Sequence, residues 1–355
     1  MRGVLMGRDG FKIQLIQKNI IHNYNYIKNY TKKEVIAVVK ANAYGHGLKE
    51  VVPILVSGGC NYFAVARESE ALEILSLNIP NITILIFETV EDFSILKKYK
   101  NLEMVINSTD ELLELIQEKI NFSQLHLKFD FGFARNGFIQ NDIDSIKDII
   151  IKNNLHFKGA MTHFFSSDID ETIDIQNKFI ESINYIGNNY FDIIHSQNSA
   201  ATLLGLGNGS THVRCGISLL GMLDPGIIDY NIKRSWTLSG PIYNIKNFSD
   251  LDFIGYERIK NIFINNYSKV GKIKIGYGDG FSKRNTNILC HINNKEYPIV
   301  HISMDTSFVL IDDSVNLGDF VEIYKDFDKC NAFLKMDHYE YTTLINSRIP
   351  RFVVK

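Results

Sequence analysis

The chain has 355 residues, which is too long for one small hydrophobic core and suits two domains, one of them large. Its 38 Lys and Arg residues nearly balance 40 Asp and Glu residues. The formal net charge of −2 therefore does not favour nucleic acid or an anionic membrane as a partner. The 4 cysteines lie far apart, which argues against a zinc site or a disulfide framework and predicts a cytoplasmic protein.

The first ten residues, MRGVLMGRDG, are predicted to form a leader that precedes the structured chain. They contain no apolar run long enough for a signal peptide. No segment approaches the roughly 20 consecutive apolar residues of a membrane-spanning helix. The sequence thus predicts a protein without a membrane partner.

Eight short, largely apolar runs follow one another from residue 34 to residue 214. They span 34–40, 61–66, 82–87, 102–107, 125–130, 157–164, 191–197 and 211–214. Such runs are typical of parallel strands that are covered on both faces. Segments with helical spacing of apolar residues lie between most of them, such as 68–79 and 108–120, where Ser108 is a candidate N-cap. The pattern predicts an α/β TIM barrel over residues 11–230.

The pattern changes after residue 230, where strand-like runs follow one another directly. The pair Asn293-Asn294 is typical of a hairpin turn between strands at 287–292 and 297–303. We therefore predict a mostly antiparallel β domain over residues 231–355, closed by a helix near 340–347.

Polar residues follow the ends of several predicted barrel strands, where the catalytic groups of TIM barrels gather. They are Lys40, Lys128 with Asp130, His163, Asn198 with Ser199, and Arg214 followed by Gly216. Lys40 ends the apolar run VIAVVK, and partial removal from water would lower its pKa and make its amine nucleophilic towards an aldehyde. A lone lysine at a strand end is, however, more often a solvated side chain.

The loops after the seventh and eighth strands are a frequent phosphate site in TIM barrels. Gly216 would let backbone N–H groups approach an anion, and Ser199 would add a hydroxyl group. Alternatively, Asn198 or Ser199 simply caps the helix that follows. Both roles are compatible, because a helix N-terminus itself attracts anions.

The octapeptide KANAYGHG, residues 40–47, resembles the pyridoxal-phosphate (PLP) signature of the alanine racemase family. The resemblance extends over nearly the whole chain and implies a PLP-binding barrel followed by a β domain. It implies that Lys40 holds the cofactor covalently and that Tyr44 contacts its phosphate group. The segments NSAA and VRCGISL also match, which adds Asn198, Ser199, Gly216 and Ile217 to the cofactor site.

Further roles are implied by the same resemblance. Arg214 would face the pyridine nitrogen, and His163 would link Arg214 by hydrogen bonds to a second catalytic base. Arg135, in HLKFDFGFARNGF, would hold the substrate carboxylate, and Lys128 matches a lysine that many members carbamylate. Phe131 stands where the family usually has threonine.

The motif IGYGDGF resembles the family segment whose tyrosine is the second base, here Tyr277. The segment HISMD resembles the family motif whose Met and Asp line the substrate pocket, here Met304 and Asp305. In the family both motifs reach the active site of the other subunit, which implies a homodimer with shared sites. Two residues on the family's entrance corridor differ, since His301 replaces an arginine and Ser347 a tyrosine.

The resemblance implies interconversion of L- and D-alanine with Lys40 and Tyr277 as the two bases, in the service of D-alanine supply for a bacterial cell wall. Three alternatives stay open. They are a racemase with broad specificity or with larger or basic substrates, a PLP-carrier protein, and an inactive structural relative. Carrier proteins of this type lack a β domain, and an inactive relative would not need both Lys40 and Tyr277.

Overall fold

The computed structural model describes residues 10–165, 168–224, 226–229, 231–256, 258–259 and 267–355. It divides into two compact units. One is Lys18–Arg234, and the other combines the chain up to Gln17 with Ser235–Lys355. Of the predicted leader, residues 1–10, all but Gly10 lie outside the described residues.

Eight parallel strands close into a barrel in the first unit. They are β2 (Glu34–Val38), β3 (Tyr62–Val65), β4 (Thr83–Ile86), β5 (Leu102–Ile106), β6 (Leu125–Lys128), β7 (Phe157–Met161), β8 (Phe191–His195) and β9 (His212–Cys215). Each coincides with one of the eight predicted runs, so the predicted barrel is confirmed. The register between β9 and β2 pairs Val213 with Val35 and completes the ring.

Apolar side chains from six of the eight strands pack together in the barrel, as a TIM-barrel core does. One buried cluster contains Ile36, Val38, Ala64, Leu85, Val105, Met161 and Ile193. Polar side chains interrupt this interior at His126 and His195, both without solvent exposure. Gly159 makes room for one of them, because a Cβ there would lie 2.8 Å from Cε1 of His126.

One helix precedes the first barrel strand, and further helices lie between the barrel strands along the chain. They span Gln17–Thr31, Leu48–Ser57, Glu68–Leu75, Ser94–Lys98, Thr109–Gln117, Ile143–Asn153, Ile169–Ile186 and Ser199–Leu203. The Ser108 hydroxyl accepts a hydrogen bond from the Glu111 N–H at 3.2 Å, which confirms the predicted N-cap. No helix in the described part of the chain is long and apolar enough to cross a membrane.

The second unit contains an eight-stranded, mostly antiparallel sheet. Its strands are β1 (Lys12–Ile16), β10 (Trp236–Asn247), β11 (Lys269–Ile273), β12 (Leu289–Ile292), β13 (Lys295–Ile302), β14 (Ser307–Ile311), β15 (Phe320–Ile323) and β16 (Arg351–Val354). Asn293 and Asn294 connect β12 and β13 with φ values of 48° and 65°, as a two-residue hairpin turn requires. Two helices, Phe327–Leu334 and His338–Thr343, precede β16, and the second matches the predicted closing helix.

Strand β1 corrects the expected domain boundary at residue 11. It pairs with β10 in antiparallel fashion, Lys12 opposite Ser239, and with β16 in parallel fashion. The barrel unit therefore begins after Gln17. The run FKIQLI alternates in burial as a half-buried strand does, but alternation does not reveal which distant strand is its partner.

Replacing Gly159 by alanine is predicted to destabilise the protein by about 1–3 kcal/mol, as overpacking of a close-packed core does. The added methyl group would overlap the His126 ring and approach Ile193 Cγ1 to 2.9 Å. Gly271→Ala is the matched control, because a Cβ in that strand meets only flexible side-chain ends at 3.1 Å or more. Denaturation midpoints would measure both variants. Equal midpoints would show that the barrel interior yields to the extra atom.

Candidate active site

Titratable side chains converge at the C-terminal ends of the barrel strands. Lys40 lies two residues beyond β2, Lys128 ends β6, and His163 lies two residues beyond β7. The pKa of His163 is lowered to about 3, first by burial and then by the positive charges of Arg214, Arg135, Lys40 and Lys128, in that order. The predicted charged residues of the barrel are thus close enough to share one electrostatic field. His163 is neutral within it.

A left-handed turn follows Lys40. The φ angles of Ala41, Asn42, Ala43 and Tyr44 are 52°, 55°, 51° and 51°. Each non-glycine residue in this conformation costs roughly 1–2 kcal/mol, so four in succession store strain that the surroundings must hold. The Asn42 side chain accepts from the Leu48 N–H at 2.7 Å, and the Gly45 N–H donates to the Ala41 carbonyl at 2.9 Å.

The turn places Tyr44 against Gly216. A Cβ on Gly216 would overlap the Tyr44 hydroxyl and lie 2.7 Å from the ring atom Cε2. Ser199 Oγ accepts from the Gly216 N–H at 3.2 Å and from the Ser218 hydroxyl at 3.0 Å. Tyr44, Ser199 and Gly216, which the sequence analysis assigned to a phosphate site, therefore form one cluster. We call these three residues the cradle.

Asn198 caps the helix Ser199–Leu203. Its side-chain oxygen accepts from the Ala201 N–H at 2.9 Å, and its amide donates to the Phe164 carbonyl at 2.9 Å. Asn198 is therefore a helix cap, the alternative role that its sequence position allowed. Ile217 begins the short 3₁₀ helix Ile217–Leu220 beside the cradle.

Arg214 is buried, and its four hydrogen bonds all come from the two terminal nitrogens. Nη1 donates to His195 Nδ1 at 3.0 Å and to the His195 carbonyl at 2.6 Å. Nη2 donates to the carbonyls of Thr162 and Ser196 at 2.8 and 3.0 Å. Among the described residues, none accepts from Nε. Burial lowers the pKa of the guanidinium to about 9.

His195 is the imidazole that contacts Arg214, whereas the sequence analysis expected His163 in that place. His163 instead packs edge-on against Phe133, with ring centroids 6.0 Å apart. The sequence motifs did not single out His195. A histidine at a buried position of the strand FDIIH was the available signal, because a buried polar residue is more informative than an exposed one.

Asp130 holds the loop that carries Arg135. Its carboxylate accepts from the N–H groups of Gly132, Phe133, Ala134 and Arg135 at 2.8–3.3 Å. Burial alone would raise the pKa of this carboxyl group, but the four donors outweigh burial and the net shift is downward. The Arg135 guanidinium lies 4.4 Å from the centre of the Phe133 ring.

Lys128 and Lys40 are both amines with depressed pKa values. The pKa of Lys128 is lowered to about 8, mainly by burial and secondly by the nearby charge of Arg135. Burial is also the main cause of the lowered pKa of Lys40, followed by Arg135. Both amines therefore have a larger neutral, nucleophilic fraction near neutral pH than an ordinary lysine.

The second unit holds the remaining predicted residues. The Tyr277 N–H donates to the Ser303 carbonyl at 3.0 Å, which joins the IGYGDGF and HISMD motifs. The side chains of Tyr277 and Met304 are 43% and 53% exposed, so both are available to a partner. Asp305 accepts from Arg348 Nη2 at 2.6 Å.

The two departures from the family differ in their surroundings. His301 is buried and packs against Phe308, with ring centroids 5.3 Å apart. Ser347 is exposed, next to the Arg348 that binds Asp305. Within this unit, the substitution at Ser347 is therefore the one on the accessible surface.

Two family models match this chain. The model of the alanine racemase N-terminal domain matches residues 16–224, and that of the C-terminal domain matches residues 235–353. The chain belongs to the alanine racemase family. The alanine racemase of Methanococcus maripaludis is 32% identical over an alignment of 363 positions, which covers 94% of this chain and 95% of the relative.

Solved alanine racemases share the fold. The structure from E. faecalis superimposes with a TM-score of 0.84 at 24% identity and covers 99% of this chain and 100% of its own. The structure from Bartonella henselae, which has covalently bound pyridoxal phosphate, gives a TM-score of 0.82 at 23% identity, with 98% and 100% coverage. At these identities the likeness concerns the barrel and β-domain architecture.

His163 is expected to stay neutral from about pH 5 to pH 8, because its folded pKa is about 3. An unfolded chain binds a proton on histidine near pH 6.5, so His163 stabilises the fold less and less as the pH falls below about 6.5. An NMR titration of the His163 imidazole would test this. A midpoint above about 5 would contradict the predicted desolvation of the ring.

Proposed function

We propose that this protein is a PLP-dependent alanine racemase that interconverts L- and D-alanine. The observation that carries the proposal is the junction of Lys40 with the cradle. A buried amine of lowered pKa is joined to Tyr44 through a strained turn, and Tyr44 lies against Gly216 and near Ser199. Membership of the alanine racemase family and the match to KANAYGHG support the same function.

The cradle fits a phosphate group. Gly216 has no side chain that could block an anion, and the Tyr44 and Ser199 hydroxyl groups can donate to it. The backbone at Ile217 and the capped helix that follows Asn198 add N–H groups of the kind that bind anions. We therefore assign Tyr44, Asn198, Ser199, Gly216 and Ile217 to the phosphate end of the cofactor.

Arg214 fits the opposite end of the cofactor. Its two terminal nitrogens are held by His195, Thr162 and Ser196, and Nε remains as a donor. A guanidinium donates but does not give up its proton, so a pyridine nitrogen that it faces stays unprotonated. A ring in this state is a weaker electron sink, which limits side reactions. His163, neutral and close to Arg214, completes this part of the site.

Arg135, Met304 and Asp305 are proposed to contact the substrate. Arg135 can bind an amino-acid carboxylate with its planar pair of donors. The Lys128 amine, with its pKa of about 8, is neutral often enough to react with carbon dioxide. The carbamate that forms, with release of one proton, would give Arg135 a negatively charged partner, which the unmodified Lys128 amine is not. We therefore propose that Lys128 is carbamylated.

Bound pyridoxal phosphate supplies an electron-accepting ring that makes the α-proton of an attached amino acid acidic. Lys40 holds or accepts a proton at Nζ on one face of the substrate, where burial favours its neutral amine. Tyr277 of the partner subunit holds or accepts a proton at its hydroxyl group on the other face. Two bases on opposite faces are what inversion at the α-carbon requires.

A homodimer is the assembly that this mechanism implies, and we propose that it acts in the cytoplasm. Tyr277 and Met304 are exposed on the second unit, as residues that complete a neighbouring subunit's site would be. The proposed partners are a free amino acid and a second copy of the chain, without nucleic acid or membrane.

A broader amino-acid specificity is the second candidate. Ser347 is small and exposed where the family has tyrosine, and Met304 is also exposed. Both would leave more room for a side chain larger than that of alanine. The PLP-carrier alternative is not supported, because residues 235–353 match the C-terminal domain of the racemases.

The first test is chemical. The purified protein should carry PLP, and borohydride should fix the cofactor to the peptide that contains Lys40, as mass spectrometry would show. Among a panel of L-amino acids, L-alanine should be converted to its D-enantiomer fastest. Lys40→Ala should retain less than about one thousandth of the rate, because it lacks both the attachment point and one base. Label on another lysine would overturn the assignment of Lys40. A larger amino acid that is turned over faster than alanine would overturn the proposed specificity for alanine.

The second test concerns the shared site. Lys40→Ala and Tyr277→Phe homodimers should each be nearly inactive, because every site lacks one base. After the two are mixed, dissociated and reassociated, half of the dimers should be mixed, and one of the two sites in each should be intact. Activity should return to roughly one quarter of the wild-type value for a two-fold symmetric dimer.

Mass measurement of the heterodimer is the necessary control for this mixing experiment. If heterodimers form and activity stays at the level of the unmixed variants, both bases come from one chain. That outcome would reject the shared site without rejecting the racemase function.

A further inference from the structure

A chain of polar side chains crosses the interior of the barrel beneath Arg214. Arg214 Nη1 contacts His195 Nδ1 at 3.0 Å, and His195 Nε2 contacts His126 Nδ1 at 2.9 Å. His126 Nε2 in turn contacts Glu103 Oε2 at 2.8 Å, and the Tyr62 hydroxyl donates to the same oxygen. These residues come from strands β9, β8, β6, β5 and β3.

The direction of every hydrogen bond in this chain follows from its two ends. A guanidinium only donates, so His195 Nδ1 must accept and the proton of the neutral ring must lie on Nε2. That proton is donated to His126 Nδ1, so the His126 proton must also lie on Nε2. From there it is donated to the Glu103 carboxylate, which only accepts when ionised. The chain therefore has one consistent arrangement of protons.

Burial makes this arrangement consequential. His126 and His195 are 0% exposed, Arg214 is 4% exposed and Glu103 is 6% exposed. A charge buried in a barrel is unfavourable unless it is paired, and Arg214 has no carboxylate among its hydrogen-bond partners. Glu103 is the negative charge to which Arg214 is connected, at a distance of two imidazole rings.

The residues around these polar side chains leave room for them. Gly159 leaves the space that the His126 ring occupies, and the two rings cross edge-on at an interplanar angle of 80°. The pKa of His195 is lowered by burial first and by the charge of Arg214 second, so both effects favour the neutral ring that the hydrogen bonds require.

We propose that Glu103, His126 and His195 are positioning residues that provide the counter-charge of Arg214 and fix its guanidinium plane, so that Nε is presented to the ligand. This inference rests on the proposed function only for the identity of that ligand. The three residues touch neither substrate nor cofactor. They act through Arg214.

The first experiment measures the protons directly in the wild-type holoenzyme. The protein has 10 histidines, and ¹⁵N labelling of their rings with NMR distinguishes the two neutral tautomers from the doubly protonated form. His126→Gln and His195→Gln spectra would assign the two signals. Both rings should be neutral with the proton on Nε2. Either ring with its proton on Nδ1, or with two protons, would overturn the proposed chain.

The second experiment measures what the chain does for catalysis. Glu103→Gln keeps a side-chain oxygen as acceptor but removes the charge. Glu111→Gln is the matched control. Glu111 is 7% exposed and belongs to the barrel unit, but it caps a helix and takes no part in the hydrogen bonds that connect Arg214 to Glu103. The kcat for alanine should fall at least about tenfold further in Glu103→Gln than in the control, with KM within about threefold, because Arg214 serves the ligand's ring and not the substrate.

Equal kcat values for the two variants would overturn the positioning role, even if alanine racemisation by the wild type is confirmed. A general loss of folding in Glu103→Gln alone leaves the decision to the tautomers of the wild-type protein. If the wild type binds no PLP and racemises no amino acid, the proposed function fails. The tautomer measurement still decides whether Glu103 is connected to Arg214.

Discussion

The buried guanidinium of Arg214 is the constraint that organises the polar part of the barrel. Its hydrogen bonds fix the carbonyl groups of Thr162, His195 and Ser196, which lie in or just beyond strands β7 and β8. Because a buried cation needs full hydrogen bonding, these strand ends have little freedom to shift. The group that would face the ligand is thus held by the barrel backbone rather than by a mobile loop.

Strain at Lys40 complements this rigidity. Four non-glycine residues in left-handed conformation would relax in an isolated peptide, so the packing of the barrel must oppose them. The turn lets one short segment deliver two side chains to different places, Lys40 at the rim and Tyr44 against Gly216. A regular helix after β2 would carry residues 40 and 44 along one face of the helix instead.

The sequence was sufficient for what depends on local pattern. Eight apolar runs predicted eight strands, the octapeptide led to Lys40 and Tyr44, and the loops after the seventh and eighth strands led to Ser199 and Gly216. It did not reveal that β1 pairs with β10, because a strand's partner depends on contacts between distant segments. It also did not single out Glu103, His126 and His195. They lie on three separate strands, and only the closed barrel brings the three together.

The charges at the barrel rim bear on the kind of ligand that this site would bind. Lys40, Lys128, Arg135 and Arg214 all act on His163, which is neutral and offsets none of their charge. The carboxylates that act on Lys40 are Glu70 and Glu88, and Glu70 already accepts from the N–H groups of Ala41, Ala66 and Arg67. The carboxylates that act on Lys128 are Asp130 and Glu88, and Asp130 already accepts from four backbone N–H groups. A phosphate group at the cradle and a carboxylate at Arg135 would each bring further negative charge to these cations. The positive charge of Arg135, which adds to burial in lowering the pKa of both lysines, therefore also favours an anionic ligand.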